Sequence, residues 1–384
     1  MGNCEGHNSH WKYLSRNFYM MVLGLLSVAC TYSEGVAQDS LTNIKRYPPI
    51  RIYQAGYTAG PIVVHTDEIQ STKTVTSPFG LELTMAWQRN DQDAWNKCGC
   101  NPTQGIQLAY YDYNNVTLGR SLNLSYVLEP TYALSERSSF SYRVIFGIAY
   151  MTNPYNSSTN PSNQLYSTSM NAFFGPGVGY WRHLSDHSSA GLQIEFHHIS
   201  NGGNETPNKG INWLTAGLTL RYQTNPRPLQ TFHREPYLKS KRVLYDLSIF
   251  GVTKKLDADD GSSSSYLLAG VAFQAAKRVG RINNLTLSTE VFLDNSLRNR
   301  LLQDNSELDP WRVDFMVGHE FVLGRLLFSQ RLGVYIYQAG HYYDPFFHQW
   351  GLTYRIRNHW SLGMDLKVHR EVADYWALRF SYTF

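Results

Sequence analysis

The 384-residue chain has little charge, little cysteine and no long apolar stretch after its first forty residues. A helix needs about 20 consecutive apolar residues to cross a bilayer, so no transmembrane helix is expected in that remainder. Charged residues make up 17% of the chain, and the net charge of +4 is spread along it. That leaves no basic patch interleaved with aromatics, so nucleic acid is excluded as a partner. Of the four cysteines, Cys4 and Cys30 lie in a segment expected to be removed. Cys98 and Cys100 remain, and no His-rich partner follows with zinc-like spacing, so no metal is assigned and the pair reads as loop thiols, free or locally bonded. The mean hydropathy of -0.36 would on its own suggest a soluble protein.

The aromatic share points elsewhere. At 14% of the chain, with 27 Tyr and 9 Trp, it suits a transmembrane barrel, which hides apolar residues in alternation with polar ones and gathers aromatics at its interfaces. The alternation is clearest at the end. Trp376, Leu378, Phe380, Tyr382 and Phe384 fall on one face, with Ala377, Arg379, Ser381 and Thr383 on the other. Leu362, Met364, Leu366 and Val368 alternate in the same way with Gly363, Asp365, Lys367 and His369. A period of two means strands, and an apolar face opposite a charged one suits a wall between lipid and water. Phe384 closes the chain inside a strand, which resembles the C-terminal signal of outer-membrane barrels. Tight breaks near Val279, Gly324 and Arg357 alternate with longer polar ones near Asp257, Asp294 and Gly340, as periplasmic turns alternate with external loops.

These features predict an all-β, antiparallel transmembrane β-barrel of about 14–16 strands, with two 8-stranded halves as the alternative. Lys12 and Arg16 ahead of an apolar run that ends at Cys30, then Gly35, Val36 and Ala37, read as an export signal. A lipoprotein box ending at Cys30 is the rival reading of that segment. The expected organisation is a signal peptide (1–37), a periplasmic segment (38–60), a first half (61–223), a proline-containing basic connection (224–241) and a second half (242–384). The location that follows is the outer membrane of a Gram-negative bacterium.

One segment carries a chemical pattern. Strand parity places Leu192, Ile194, Phe196, His198 and Ser200 on one face, with Gln193, Glu195 and His197 on the lumenal one. On the next strand Asn212, Leu214, Ala216, Leu218 and Leu220 share a face. His198, Ser200 and Asn212 therefore continue lipid-facing stripes, and a hairpin symmetric about Thr206 would set Ser200 beside Asn212. A His two residues before a Ser on one strand face is within hydrogen-bond reach, and a Ser hydroxyl needs such a base to become a nucleophile. Asn212 is placed to orient that base. Asn201, Gly202 and Gly203 are candidate backbone donors to an oxyanion.

The sequence His198-x-Ser200-Asn201-Gly202-Gly203, followed by Pro207, Asn208, Lys209 and Gly210, resembles the lipid A 3-O-deacylase family in its acyloxyacyl-hydrolase-like branch. Residues 150–156, 159–163 and 369–375 resemble that branch too. The resemblance implies a barrel that removes an ester-linked acyl chain from lipid A, with His198 and Ser200 as base and nucleophile. The family's well-studied members have a Glu where this chain has Asn212. A Ser-His-Asn set is similar to that of outer-membrane phospholipase A, which makes glycerophospholipid the alternative substrate. That family's calcium dependence rests on residues with no match here, so no cofactor is assigned. A non-catalytic barrel, channel or structural, is the rival from another class, and nothing in the sequence sets an oligomeric state.

Other residues carry weaker signals. Glu195 and His197 read as structural lumen groups, Asp257, Asp259 and Asp260 as a solvated acidic loop, and Tyr342 and Tyr343 as rim aromatics. Residues 191–198 are echoed by 363–370, but the second copy lacks the Ser-Asn-Gly that follows the first.

Overall fold

The structure is a computed structural model that describes residues 48–63, 76–237, 240–257, 263–357, 359–370 and 372–384. The expected signal peptide and the rival lipid site at Cys30 lie outside the described residues, as do Asp259 and Asp260.

The described strands close into two antiparallel barrels of eight. The first consists of β1 (Ile50–Ala59), β2 (Phe79–Gln88), β3 (Asn101–Asp112), β4 (Arg120–Ser135), β5 (Ser138–Met151), β6 (Met170–His183), β7 (Ser188–Ser200) and β8 (Ile211–Gln223). The second consists of β9 (Val243–Asp257), β10 (Ser263–Arg278), β11 (Asn283–Asp294), β12 (Trp311–Leu323), β13 (Leu326–Gln338), β14 (Phe346–Arg355), β15 (Trp360–His369) and β16 (Val372–Thr383). Both barrels belong to one compact unit.

The strand count agrees with sixteen, and closure takes the alternative form of two eights. β8 pairs with β1, and β16 with β9. Alternation fixes which face a residue takes, but not which edges meet, so one barrel and two look alike in the sequence. The stretch expected as a periplasmic segment contains β1, a correction with a clear cause. Its inward face carries Ile50 and Ile52 and its outward face Arg51, Tyr53, Ala55 and Tyr57, which blurs the polar-inside pattern.

The two faces are chemically inverted relative to a soluble protein. On β7 and β8 the outward Leu192, Ile194, Leu214, Leu218 and Leu220 are 43–65% exposed, while the inward Gln193, Glu195, His197 and Thr215 are 2% exposed or less. A closed barrel leaves no strand edge unpaired, so an apolar outer wall can sit in lipid.

Eight strands enclose an interior just wide enough for side chains to fill, and both lumens are filled by ion pairs. In the first, Arg143 meets Glu195 at 2.8 Å and Arg221 meets Glu129 at 2.8 Å. Glu82 accepts from Tyr111 (2.8 Å) and Gln107 (2.9 Å). In the second, Lys367 lies between Glu290 (3.0 Å) and Asp314 (2.6 Å). Arg379 bridges Glu290 and Asp365 beside it, and Arg312 joins Asp294 to Asp374.

At the end of the first barrel away from Ser200, the β2–β3 connection forms a short helix, α1 (Gln92–Cys98), capped by Asp91 accepting from the Ala94 N–H at 3.0 Å. Cys98, its last residue, is disulfide-bonded to Cys100. The connection between barrels lies along this helix: Asn90 donates to Pro228 O (2.7 Å), and Gln92 to His233 O (2.7 Å).

Candidate active site

β7 carries His198 and Ser200 to its last turn of pleat on the outward face, and β8 presents Asn212 from its second residue. The pairing is His198 with Asn212 and Ile199 with Ile211. The hairpin therefore centres one residue before Thr206, so Asn212 stands across from His198 and not from Ser200. A shift of two in the partner leaves the face unchanged, which is why parity found the right wall despite the wrong register. The start of β8 is itself held: the Val63 N–H donates to Asn212 O at 2.8 Å, and the Leu214 N–H to Pro61 O at 3.1 Å.

The three side chains form one hydrogen-bonded line. His198 Nδ1 is 2.6 Å from Asn212 Oδ1, and His198 Nε2 is 3.0 Å from Ser200 Oγ. Asn212 Oδ1 can only accept, so the Nδ1 proton is donated to it, which leaves Nε2 to accept from the Ser200 hydroxyl. All three residues are half-buried. The arrangement can take a proton from Ser200 at a point where the hydroxyl still faces outward.

Residues 79–222 match the family model described as lipid A 3-O-deacylase (PagL), and residues 243–384 match the model described as acyloxyacyl hydrolase, C-terminal domain. The chain belongs to the lipid A 3-O-deacylase family. It is thereby an outer-membrane ester hydrolase that deacylates lipid A. The first match contains the whole His198–Ser200–Asn212 line, and the second takes in the second barrel. Among solved structures, the deacylase is similar to the "outer membrane enzyme PagL", at 18% identity over 43% of this chain and 97% of that one, with a TM-score of 0.31. It is similar also to the "TodX deltaS2S3 mutant monoaromatic hydrocarbon channel", at 9% identity over 92% of this chain and 89% of that one, with a TM-score of 0.19. No curated protein sequence matches it.

The loop after Ser200 distributes the deacylase's candidate backbone donors unequally. The Asn201 N–H is donated to Asn208 Oδ1 at 3.0 Å, and the Gly203 N–H to Asn201 Oδ1 at 3.0 Å. Among the described residues, Gly202 N–H alone of the three makes no such bond. Asn208 is thus a loop-shaping residue that sequence reasoning passed over, although it stood in the quoted motif.

Gly210 is a second such residue. Its φ is +74°, and a Cβ there would lie 2.8 Å from His198 Cε1 and 3.1 Å from Ile199 O. The motif glycine thus makes room for the imidazole. Gly210→Ala is expected to displace His198 and lower kcat by about 100-fold, with KM changed far less, because a roughly 1 Å misplacement of a catalytic group costs that much. Initial rates on an ester substrate check this, and an unchanged kcat would mean that the imidazole tolerates the methyl group.

The remaining candidates separate cleanly. Glu195 and His197 point into the first lumen, where His197 Nε2 meets Thr215 Oγ1 at 3.0 Å. With Glu82 they bring ligand-type atoms within 4.8 Å of one another. The Arg143 guanidinium at Glu195, and the donors already on Glu82, make this a lumen ion-pair network. Tyr343 is not a rim aromatic. It caps the second lumen, its ring 5.0 Å from His369 and 4.1 Å from the Arg312 guanidinium.

Proposed function

We propose that the deacylase cleaves an ester-linked acyl chain of lipid A with Ser200 as nucleophile. The observation that carries this reading is the Ser200–His198–Asn212 hydrogen-bonded line on the outward wall of the first barrel. Ser200 Oγ attacks the ester carbonyl as its proton passes to His198 Nε2. The tetrahedral oxyanion is met by the Gly202 N–H. When the ester C–O bond breaks, the imidazolium gives its proton to the leaving hydroxyl, and the acyl group stays on Ser200. Water then attacks the acyl carbonyl as the same imidazole takes its proton, and that proton passes to Ser200 Oγ as the fatty acid leaves. Asn212 holds the ring throughout.

Location supports this chemistry. An acyl ester in a leaflet lies just below the headgroups, and an outward-facing serine near the barrel end meets it there without drawing the lipid out of the membrane. The filled lumens weigh against the channel reading, since ion-paired side chains occupy the space water would need.

Mass spectrometry of lipid A and phospholipids, from cells carrying wild type or Ser200→Ala, tests the reading. Loss of one acyl chain from lipid A with wild type alone is the expected outcome. Lysophospholipid in its place would move the substrate to glycerophospholipid, a reading that Asn212 in the orienting position favours. Equal lipid pools in both strains would sink the hydrolase mechanism.

A further inference from the structure

The loop that follows Ser200 does not end in open space. A Cβ on Gly202 would lie 2.8 Å from Trp376 Cδ1 and 3.4 Å from Leu366 Cδ1, both on the second barrel. One on Gly203 would lie 2.4 Å from Ala373 O. The Trp376 N–H reaches Asn204 Oδ1 at 3.4 Å. Both glycines also have positive φ, +69° and +85°, so the loop is shaped to lie flat against β15 and β16. The neighbourhood explains a local anomaly in exposure. Leu366 and Trp376 are half-buried, although Leu378, on the same outward stripe of β16, is 55% exposed. Ser200 therefore opens beside the apolar outer wall of the second barrel as well as its own.

We propose that Trp376 and Leu366 form the far wall of the acyl-binding cleft, so that the second barrel sets which acyl chains reach Ser200. The occupant is the hydrocarbon chain of the ester that Ser200 attacks, which must run from Ser200 along one or both apolar walls. On the near side that chain meets Phe196 and Ile194 of β7, outward and in line with Ser200. On the far side it meets Leu366 and the Trp376 indole. A chain held on both sides loses contact with lipid on both, and each added methylene then contributes to binding only as far as the cleft extends. This assignment rests on the ester-hydrolase reading above.

The test uses the full chain in detergent micelles with p-nitrophenyl acetate, octanoate and palmitate, comparing wild type, Leu366→Trp, Trp376→Ala and Ser200→Ala. Trp376→Ala removes the indole but keeps the backbone N–H that meets Asn204, so the loop stays anchored. Leu366→Trp narrows the cleft without touching the loop's hydrogen bond. Both variants are expected to lose about 10-fold more in kcat/KM on palmitate than on acetate, since a few methylenes of lost burial amount to that. Chain-length profiles identical to wild type, or acetate and palmitate falling equally, would overturn the far wall while leaving Ser200 chemistry intact. Activity in wild type that Ser200→Ala retains would instead overturn the hydrolase reading, and the cleft with it.

Discussion

His198→Ala is expected to lower kcat by about 10⁴-fold or more, and the double variant His198→Ala with Ser200→Ala to be no slower than either single one. His198 makes both hydrogen bonds of the line, 2.6 Å to Asn212 and 3.0 Å to Ser200. Without it the Ser200 hydroxyl keeps its proton, and the leaving hydroxyl has no donor. Because the two residues act as one unit, removing the second takes away nothing that the first removal left. KM should stay within about threefold, since the imidazole acts mainly in the transition state, where it takes the Ser200 proton. Asn212→Ala should fall short of the full loss, because an unheld imidazole still visits the right orientation some of the time. Initial rates of ester hydrolysis in micelles measure all four variants. A double variant much slower than both singles would show that the residues contribute independently.

The site was legible in the sequence where chemistry is local, and illegible where it depends on distant pairing. Period-two alternation put His198, Ser200 and Asn212 on one outward stripe, because side-chain direction in a strand needs only the residue number. Register needs the turn geometry, and the loop 201–210 is shaped by Asn208 and Gly210 and not by a symmetric turn, so Asn212 came out opposite the wrong neighbour. The contact of Gly202 with Trp376 joins residues nearly half the chain apart, and no local pattern encodes it. The internal echo also changed meaning. Glu195 and His197 correspond to Lys367 and His369, all lumenal, with Lys367 ion-paired to Glu290 and Asp314, and His369 3.0 Å from Tyr335. The position matching His198 is Arg370, exposed and paired with Asp344 at 2.6 Å. Both copies lie on the seventh strand of their barrel, so what repeats is the lumen filling and not the chemistry.

That lumen filling makes the second large prediction. Lys367→Met is expected to destabilise the second barrel by about 3–5 kcal/mol, the cost of removing one partner from a buried ion pair. The methionine keeps nearly the same volume, so the loss comes from charge and not from a cavity. Lys367 is fully buried and stands between Glu290 and Asp314. Without it those two carboxylates, on directly paired residues of β11 and β12, lie side by side in the lumen, with Arg379 left to offset only Glu290. Urea titration in micelles, followed by tryptophan fluorescence, should show the transition of the second barrel moving to lower urea. Adding Asp314→Asn removes one stranded charge and should recover part of the loss. A double variant no more stable than Lys367→Met would mean that repulsion is not the cause. Activity gives an independent reading of the same event. Gly202 and Gly203 lean on Trp376 and Ala373, so palmitate hydrolysis in the Lys367→Met variant should fail at the urea concentration where the second barrel opens, while acetate hydrolysis persists until the first barrel unfolds.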